Sequence, residues 1–222
     1  MTTPDRVVII GAGGHGREIV DILRHQAQVT GSMKVEGFVD GNQALHGKEL
    51  DGLPVLGDWD WFDTADREGL KVICAVGNPQ TCRKLVNRAI VSKLEFTSAI
   101  SPLAHLSPRA HIGKGVVIFP HVIINTGARI GSFITLNIGA SVSHDTVVGD
   151  FTNINPAVHL AGNVTVGEGC YLGMGTNVIQ GCSIGSWSVI GAGAVVIRNV
   201  PSHTTAVGVP AKVIKIKEES CE

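Results

Sequence analysis

From Ile100 onward every sixth residue is Ile, Leu or Val. The rule holds at seventeen consecutive positions, ending at Val196, without one insertion. At the fourth place after each stands a small or β-branched residue, for example Ala104, Ala128, Ala140, Thr146, Thr152, Cys170, Thr176 and Ser188. A period of six matches neither the helical repeat of about 3.6 nor the strand repeat of about 2, so the unit is a short strand followed by a turn. One aliphatic and one small inward residue per unit fit a narrow triangular prism. Three units, 18 residues, close one coil, and the stretch 100–201 holds between five and six coils. Stacked at the strand spacing of ~4.8 Å, each coil satisfies the backbone groups of the next.

Composition agrees with such a stack and removes several alternatives. Glycine is abundant, 28 of 222 residues, and aromatic residues make up only 5%, as a core of small similar layers requires. A hydrophobic content of 44% excludes a disordered chain. The net charge of −1 argues against a nucleic-acid binder working through a basic face. No apolar run approaches the ~18 residues of a membrane span. The start, Met-Thr-Thr-Pro-Asp-Arg, lacks the pattern of a secretory signal. The five cysteines, Cys74, Cys82, Cys170, Cys182 and Cys221, form neither a disulfide framework nor a CxxC clamp. A cytoplasmic protein without a metal site is expected.

Residues 1–99 read differently, as an α/β unit. Arg6–Ile10 is a buried strand, Gly11-Ala12-Gly13-Gly14-His15-Gly16 a glycine loop, and Arg17–His25 an amphipathic helix with Ile19, Val20, Ile22 and Leu23 on its apolar side. A second strand, Val35–Val39, ends at Asp40, and a third, Val72–Val76, ends at Gly77-Asn78 before Pro79 opens another helix. Strand, glycine loop, helix and strand form a parallel βαβ unit of Rossmann type. The G-x-G-x-x-G loop with Asp40 beyond it would by itself indicate a nicotinamide dinucleotide. Fewer than 100 residues hold only half of such a domain, and a half-domain suits a mononucleotide diphosphate set against the loop N–H groups and the helix N-terminus. Gly11, Gly13, Gly14, His15, Gly16, Asp40, Gly77 and Asn78 are therefore the candidate substrate-binding residues. For Asp40, a capping role in the turn before Asn42 competes with a ligand-binding one.

Three segments together carry a family resemblance: Val7-Val8-Ile9-Ile10-Gly11-Ala12-Gly13-Gly14-His15-Gly16, Val142-Ser143-His144-Asp145, and Val207-Gly208-Val209-Pro210-Ala211-Lys212. The chain resembles the bacterial hexapeptide-repeat sugar acyltransferases that N-acetylate nucleotide-linked 4-amino sugars, with relatives that O-acetylate sialic acid. The resemblance covers essentially the whole chain. It implies a nucleotide-sugar domain at 1–99 and a left-handed parallel β-helix at 100–222, a homotrimer, and acetyl-CoA as cosubstrate. His144 stands two places from inward Val142 and Thr146, so its register puts it outside the prism. One coil later stands Gly162 and one coil earlier Thr126, which leaves room beside the ring for a substrate or a pantetheine arm. A neutral imidazole, ordinarily with a pKa of ~6.5, suits a general base at neutral pH.

By resemblance, Asp145 orients that imidazole. Carried over by position, Gly162, Gly173, Ala192 and the turn Gly208-Val209-Pro210 are the candidates to hold coenzyme A. Their smallness would let a backbone approach the ligand. For Lys212, Lys215 and Lys217 in the tail, contact with the phosphates of coenzyme A competes with a role as solvated charges on the last strand. Asn137 and Asn155, one coil apart, read as a structural amide ladder. The expected reaction is acetyl transfer to an amine of a nucleotide-linked 4-amino-4,6-dideoxy sugar by direct attack on the thioester, in polysaccharide biosynthesis. Two rivals stand beside it: O-acetylation of a sialic acid or similar hydroxyl, and a non-catalytic trimer that only senses nucleotide sugars.

Overall fold

The computed structural model describes residues 5–31 and 33–216, so Lys217 and Cys221 lie outside the described residues. The chain divides into two compact units. The first runs to Gly77 and resumes over Thr81–Pro102; the second takes Asn78–Gln80 and the chain from Leu103. No helix among the described residues is long and apolar enough to cross a membrane.

The front unit is built on β1 (Asp5–Ile10), whose run Val7–Ile10 is almost fully buried because both faces of the strand are covered. α1 (Gly14–Thr30) follows the glycine loop and buries Ile19, Val20, Ile22 and Leu23. It ends at Gly31, which takes the left-handed conformation (φ 65°) and returns its N–H to the Ala27 carbonyl at 2.8 Å. β2 (Met33–Val39) and β5 (Leu70–Cys74) flank β1 in parallel register. Beyond β2 lie β4 (Leu53–Gly57) and the short antiparallel β3 (Glu49–Leu50), and beyond β5 lies β6 (Glu95–Phe96). The sheet order is β3-β4-β2-β1-β5-β6. The helices α2 (Trp61–Thr64) and α3 (Pro79–Val91) complete the unit. Chain order reverses on either side of β1, and a crevice opens at the C-terminal strand ends there.

The second unit is a parallel β-helix. In chain order, its first face stacks His105–Leu106, Ile123–Ile124, Ser141–Val142, His159–Leu160, Asn177–Val178 and Val195–Val196. The second stacks His111–Ile112, Arg129–Ile130, Val147–Val148, Thr165–Val166 and Ser183–Ile184. The third includes Val117–Ile118, Thr135–Leu136, Asn153–Ile154, Tyr171–Leu172 and Val189–Ile190. Pairs such as Ser141 with His159 and Arg129 with Val147 hold the 18-residue register throughout these faces. The last coil is two residues shorter, pairing Val189 with Thr205 in the strand Thr204–Val207. Lys212–Ile216 then folds back antiparallel on that strand.

The aliphatic series fills the prism, with Ile124, Leu136, Val142, Ile154 and Leu160 at 0–1% exposure. Hydroxyls among the small inward residues are all bonded where they are buried. Thr146 Oγ1 donates to the Ala161 carbonyl at 2.8 Å and accepts from Val164 N–H at 3.2 Å. Thr152 repeats this pattern with Gly167 and Cys170, and Ser188 with Pro201 and Thr204. A Thr or Ser hydroxyl at these inward positions therefore stitches one coil to the next while adding no unpaired polar atom.

Candidate active site

The glycine loop has the geometry its sequence requires. Gly11 adopts φ +112° and lies against Ala75, while a Cβ on Gly16 would collide with the Gly11 carbonyl oxygen. Only glycine lets α1 approach β1 this closely. Gly13 and Gly14 are exposed, and a Cβ on either would meet nothing within 4 Å. Arg17 N–H closes the first helical turn on the Gly13 carbonyl, leaving earlier N–H groups of α1 directed out of the helix end. The positive end is the backbone itself, because the Arg17 side chain is taken up by Asp51 at 2.7 and 2.9 Å. That hydrogen bond holds the Asp51 carboxyl below its ordinary range. His15 is half-buried, with Nδ1 3.8 Å from Glu18, and burial lowers its pKa despite that carboxylate. It enters the loop as a neutral group rather than a cation.

Asp40 binds the loop to the following turn. One carboxylate oxygen accepts from Ala12 N–H at 2.7 Å, the other from Asn42 N–H at 2.8 Å. The capping role is thus present, extended by a tie to the glycine loop. A cavity of about 370 Å3 opens here, lined by Ile10, Gly11, Asp40, Gly41, Asp58, Trp59, Asp60, Val76, Leu85 and Arg88. Of the expected substrate residues, Gly11 and Asp40 line it; Gly13, Gly14, His15 and Gly16 form the adjoining loop and helix end. Gly77 follows the lining residue Val76 but is not itself in the lining, and Asn78 falls in the other compact unit. Asp58, Trp59, Asp60 and Arg88 carry no motif, and only the return of β4 and α3 to the strand ends brings them together.

In the β-helix, His144 and Asp145 occupy the corner between the first and second faces. His144 Nδ1 lies 3.0 Å from Asp145 Oδ2. A carboxylate only accepts, so Nδ1 carries the proton and Nε2 presents a lone pair. Both side chains are more than half exposed. Asp145 takes φ 59° in the turn, its N–H bonded to the Thr126 carbonyl. The coils on either side accommodate the pair with glycine. A Cβ on Gly162 would strike His144 Nε2, and a Cβ on Gly127 would strike Asp145 Oδ1. The room over Gly162 therefore belongs to the imidazole, which leans into it, rather than to a ligand. Gly127 was discoverable by counting one coil back from Asp145.

The residues expected to hold coenzyme A divide between two corners. Gly162 lies beside His144, whereas Gly173, Ala192 and the Gly208–Pro210 turn follow the third face, on the opposite edge of the first. Gly173 is buried, and a Cβ there would meet Ala192 N–H at 2.5 Å, so its smallness serves coil stacking. Gly139, Gly175 and Gly193 are the roomier positions on that corner, with φ of +67°, +70° and +69°. Gly208–Pro210 is tied to the first face, Val195 N–H donating to Gly208 and Ala211 N–H to Val195. Lys212 and Lys215 are exposed on the final strand. Asn137 and Asn155 do not bond to each other. Asn137 Oδ1 accepts from Ile138 N–H and Asn155 Nδ2 donates to the Leu172 carbonyl, because backbone groups at the corners lie nearer than the next amide. On the first face His159 Nδ1 lies 2.8 Å from Ser141 Oγ. Cys170 is buried, which pushes its thiol up to about 11 and leaves it protonated at neutral pH.

Comparison with known proteins places these features in context. A family model described as the PglD N-terminal domain matches residues 6–89, and one described as the bacterial transferase hexapeptide (six repeats) matches residues 163–198. GDP-perosamine N-acetyltransferase of Escherichia coli O157:H7 is 32% identical over 138 residues, 62% of this chain and 61% of that protein. The chain thus spans about three fifths of that curated relative's length. PerB from Caulobacter crescentus, in complex with CoA and GDP-perosamine, is similar in structure with a TM-score of 0.87 and 37% identity, covering 94% of this chain and 97% of that one. The acetyltransferase domain of PglB from Neisseria gonorrhoeae, in complex with acetyl coenzyme A, gives 0.88 and 30% identity over 95% of this chain and 100% of that one.

Proposed function

This chain belongs to the hexapeptide-repeat sugar acetyltransferases, and on that premise we propose that it transfers the acetyl group of acetyl-CoA to the amine of a nucleotide-linked 4-amino-4,6-dideoxy sugar. The observation that carries this reading is the His144–Asp145 pair: an exposed imidazole with one nitrogen bonded to a carboxylate and the other presenting its lone pair. An amine attacking a thioester becomes cationic at nitrogen as the C–N bond forms. Nε2 of His144 takes that proton, and Asp145 steadies the resulting imidazolium. Backbone N–H groups near the thioester carbonyl stabilise the oxyanion. Collapse breaks the C–S bond, and the departing thiolate recovers the proton. The buried, protonated Cys170 is a poor covalent carrier, which favours direct transfer.

The front loop supports a diphosphate: open glycines, a helix end without a capping carboxylate and a neutral His15. Relatives in complex with CoA and GDP-perosamine support both ligand classes. A homotrimer belongs to the same reading. Exposed apolar residues border the first face on both corners, Ile138 and Met174 on one and Ile179 and Ile197 on the other, with Ile123 on the face itself. An apolar surface of this kind suits association, and a second copy would bring one corner opposite the other. Free thiols at Cys74, Cys82, Cys170 and Cys182 suit the cytoplasm, where activated sugars for polysaccharide synthesis are made.

The test is thiol release from acetyl-CoA with a panel of acceptors: GDP-, UDP- and dTDP-linked 4-amino sugars, sialic acid and CMP-sialic acid. Turnover with a nucleotide amino sugar is expected. Turnover confined to the sialic acids would overturn the amine acceptor.

A further inference from the structure

We propose that the front cavity reads a guanine base, with Asp60 accepting from N1–H and the 2-amino group and Arg88 donating to O6 and N7. The proposal rests on the reading of the front unit as a nucleotide site and adds the base and the residues that select it.

Three carboxylates and one guanidinium line the cavity, and their existing bonds distinguish them. Asp40 has both oxygens engaged by backbone N–H groups. Asp58 accepts from Asp60 N–H at 3.1 Å and so shapes the turn that presents Asp60. Asp60 stands at the start of α2 without a capping bond, both oxygens open among the described residues. Arg88, in the last turn of α3, has its Cζ 4.4 Å from the centroid of the Trp59 ring. That contact seats the guanidinium over the ring, while its N–H donors have no hydrogen-bond partner among the described residues. Trp59 is fixed in turn, its ring edge-on to Phe62 at 5.3 Å. A free carboxylate and a free guanidinium thus share one cavity without pairing with each other, and a ligand placed there must answer both.

The diphosphate would go to the helix end, since carboxylates in the cavity repel it. What remains for the cavity is a neutral group carrying two adjacent donors and, separately, two adjacent acceptors. Guanine has both: N1–H beside the 2-amino group, and O6 beside N7. Uracil and thymine offer one N–H between two carbonyls, which a carboxylate disfavours. Adenine sets its amino donor beside ring acceptors. The planar guanidinium fork matches O6 and N7 as a bidentate pair.

The experiment is calorimetric titration of the full chain with GDP, IDP, UDP and dTDP, for the wild type, Asp60→Asn and Arg88→Met. IDP differs from GDP only in lacking the 2-amino group, so it isolates the contact to Asp60. GDP is expected to bind about tenfold or more tightly than UDP and dTDP, and more tightly than IDP. Asp60→Asn is expected to erase the preference for GDP over IDP. Arg88→Met is expected to weaken both purine nucleotides equally and leave their ratio unchanged. Equal binding of GDP, IDP and UDP by the wild type would overturn the base assignment, leave the nucleotide site standing, and give Asp60 to the ribose diol. No binding of any nucleotide would overturn the nucleotide reading itself, and the base assignment with it.

Discussion

His144 and Asp145 are seated by what their neighbours in the stack lack. Gly162 and Gly127 have no Cβ where the imidazole and the carboxylate lie. Gly162 is not in the left-handed region, so alanine is compatible with its backbone and only the side-chain space is contested. Gly162→Ala is expected to fold with an unchanged circular dichroism spectrum and to lower kcat at least tenfold by displacing the ring; unchanged kcat would remove Gly162 from the site's support. His15 gives a pH prediction. Burial lowers its folded pKa below the ordinary ~6.5, so the stability due to its neutral form is complete above that value and is lost as pH falls through the lowered one. Melting curves from pH 7.5 to 5 should show a steeper loss for the wild type than for His15→Asn. At this scale the sequence was informative about identity and weaker about space. Register and motif pick out His144, but the use of the gap at Gly162 depends on a rotamer, which no spacing encodes.

From His105 to Val196 the elements of the β-helix are two-residue strands, too short to be stable alone, and each is held by its neighbours in the adjoining coils. Thr146 shows how that support reaches the site. Its hydroxyl bonds Ala161 and Val164, on either side of Gly162 and Asn163, and so fixes the backbone against which His144 leans. Thr146→Val keeps the shape and removes both bonds, leaving a carbonyl and an N–H unpaired. A cost on the order of 2 kcal/mol is expected in chemical denaturation, with a fall in kcat larger than any change in KM. Equal stability and kcat would deny the hydroxyl this role. The six-residue period marks every one of these strands in the sequence, because aliphatic and small residues are what the prism's interior accepts. The front unit was legible only in part. β1, α1 and β2 have long apolar patterns, whereas β3, β6 and α2 are two to four residues each and carry no period to read. The turn that supplies Asp58, Trp59 and Asp60 was missed for that reason.

At the scale of the whole molecule, one chain carries the imidazole on one corner of the prism and the Gly173–Ala192 ledge on another, with apolar residues exposed along both. Light scattering in dilute solution should give a trimer mass, and Ile179→Glu should shift it toward the monomer; a wild-type monomer that turns over at full rate would contradict assembly between copies. Composition does not reveal that these two corners are separate, since the same residues would serve a prism that stands alone. The most direct measurement is kcat for His144→Ala with the best acceptor from the panel. A fall of about two or more powers of ten is expected, with coenzyme A and nucleotide still bound at wild-type affinity. Near-normal turnover in that variant would contradict the assignment of His144 as the base and, with it, the centre of the proposed mechanism.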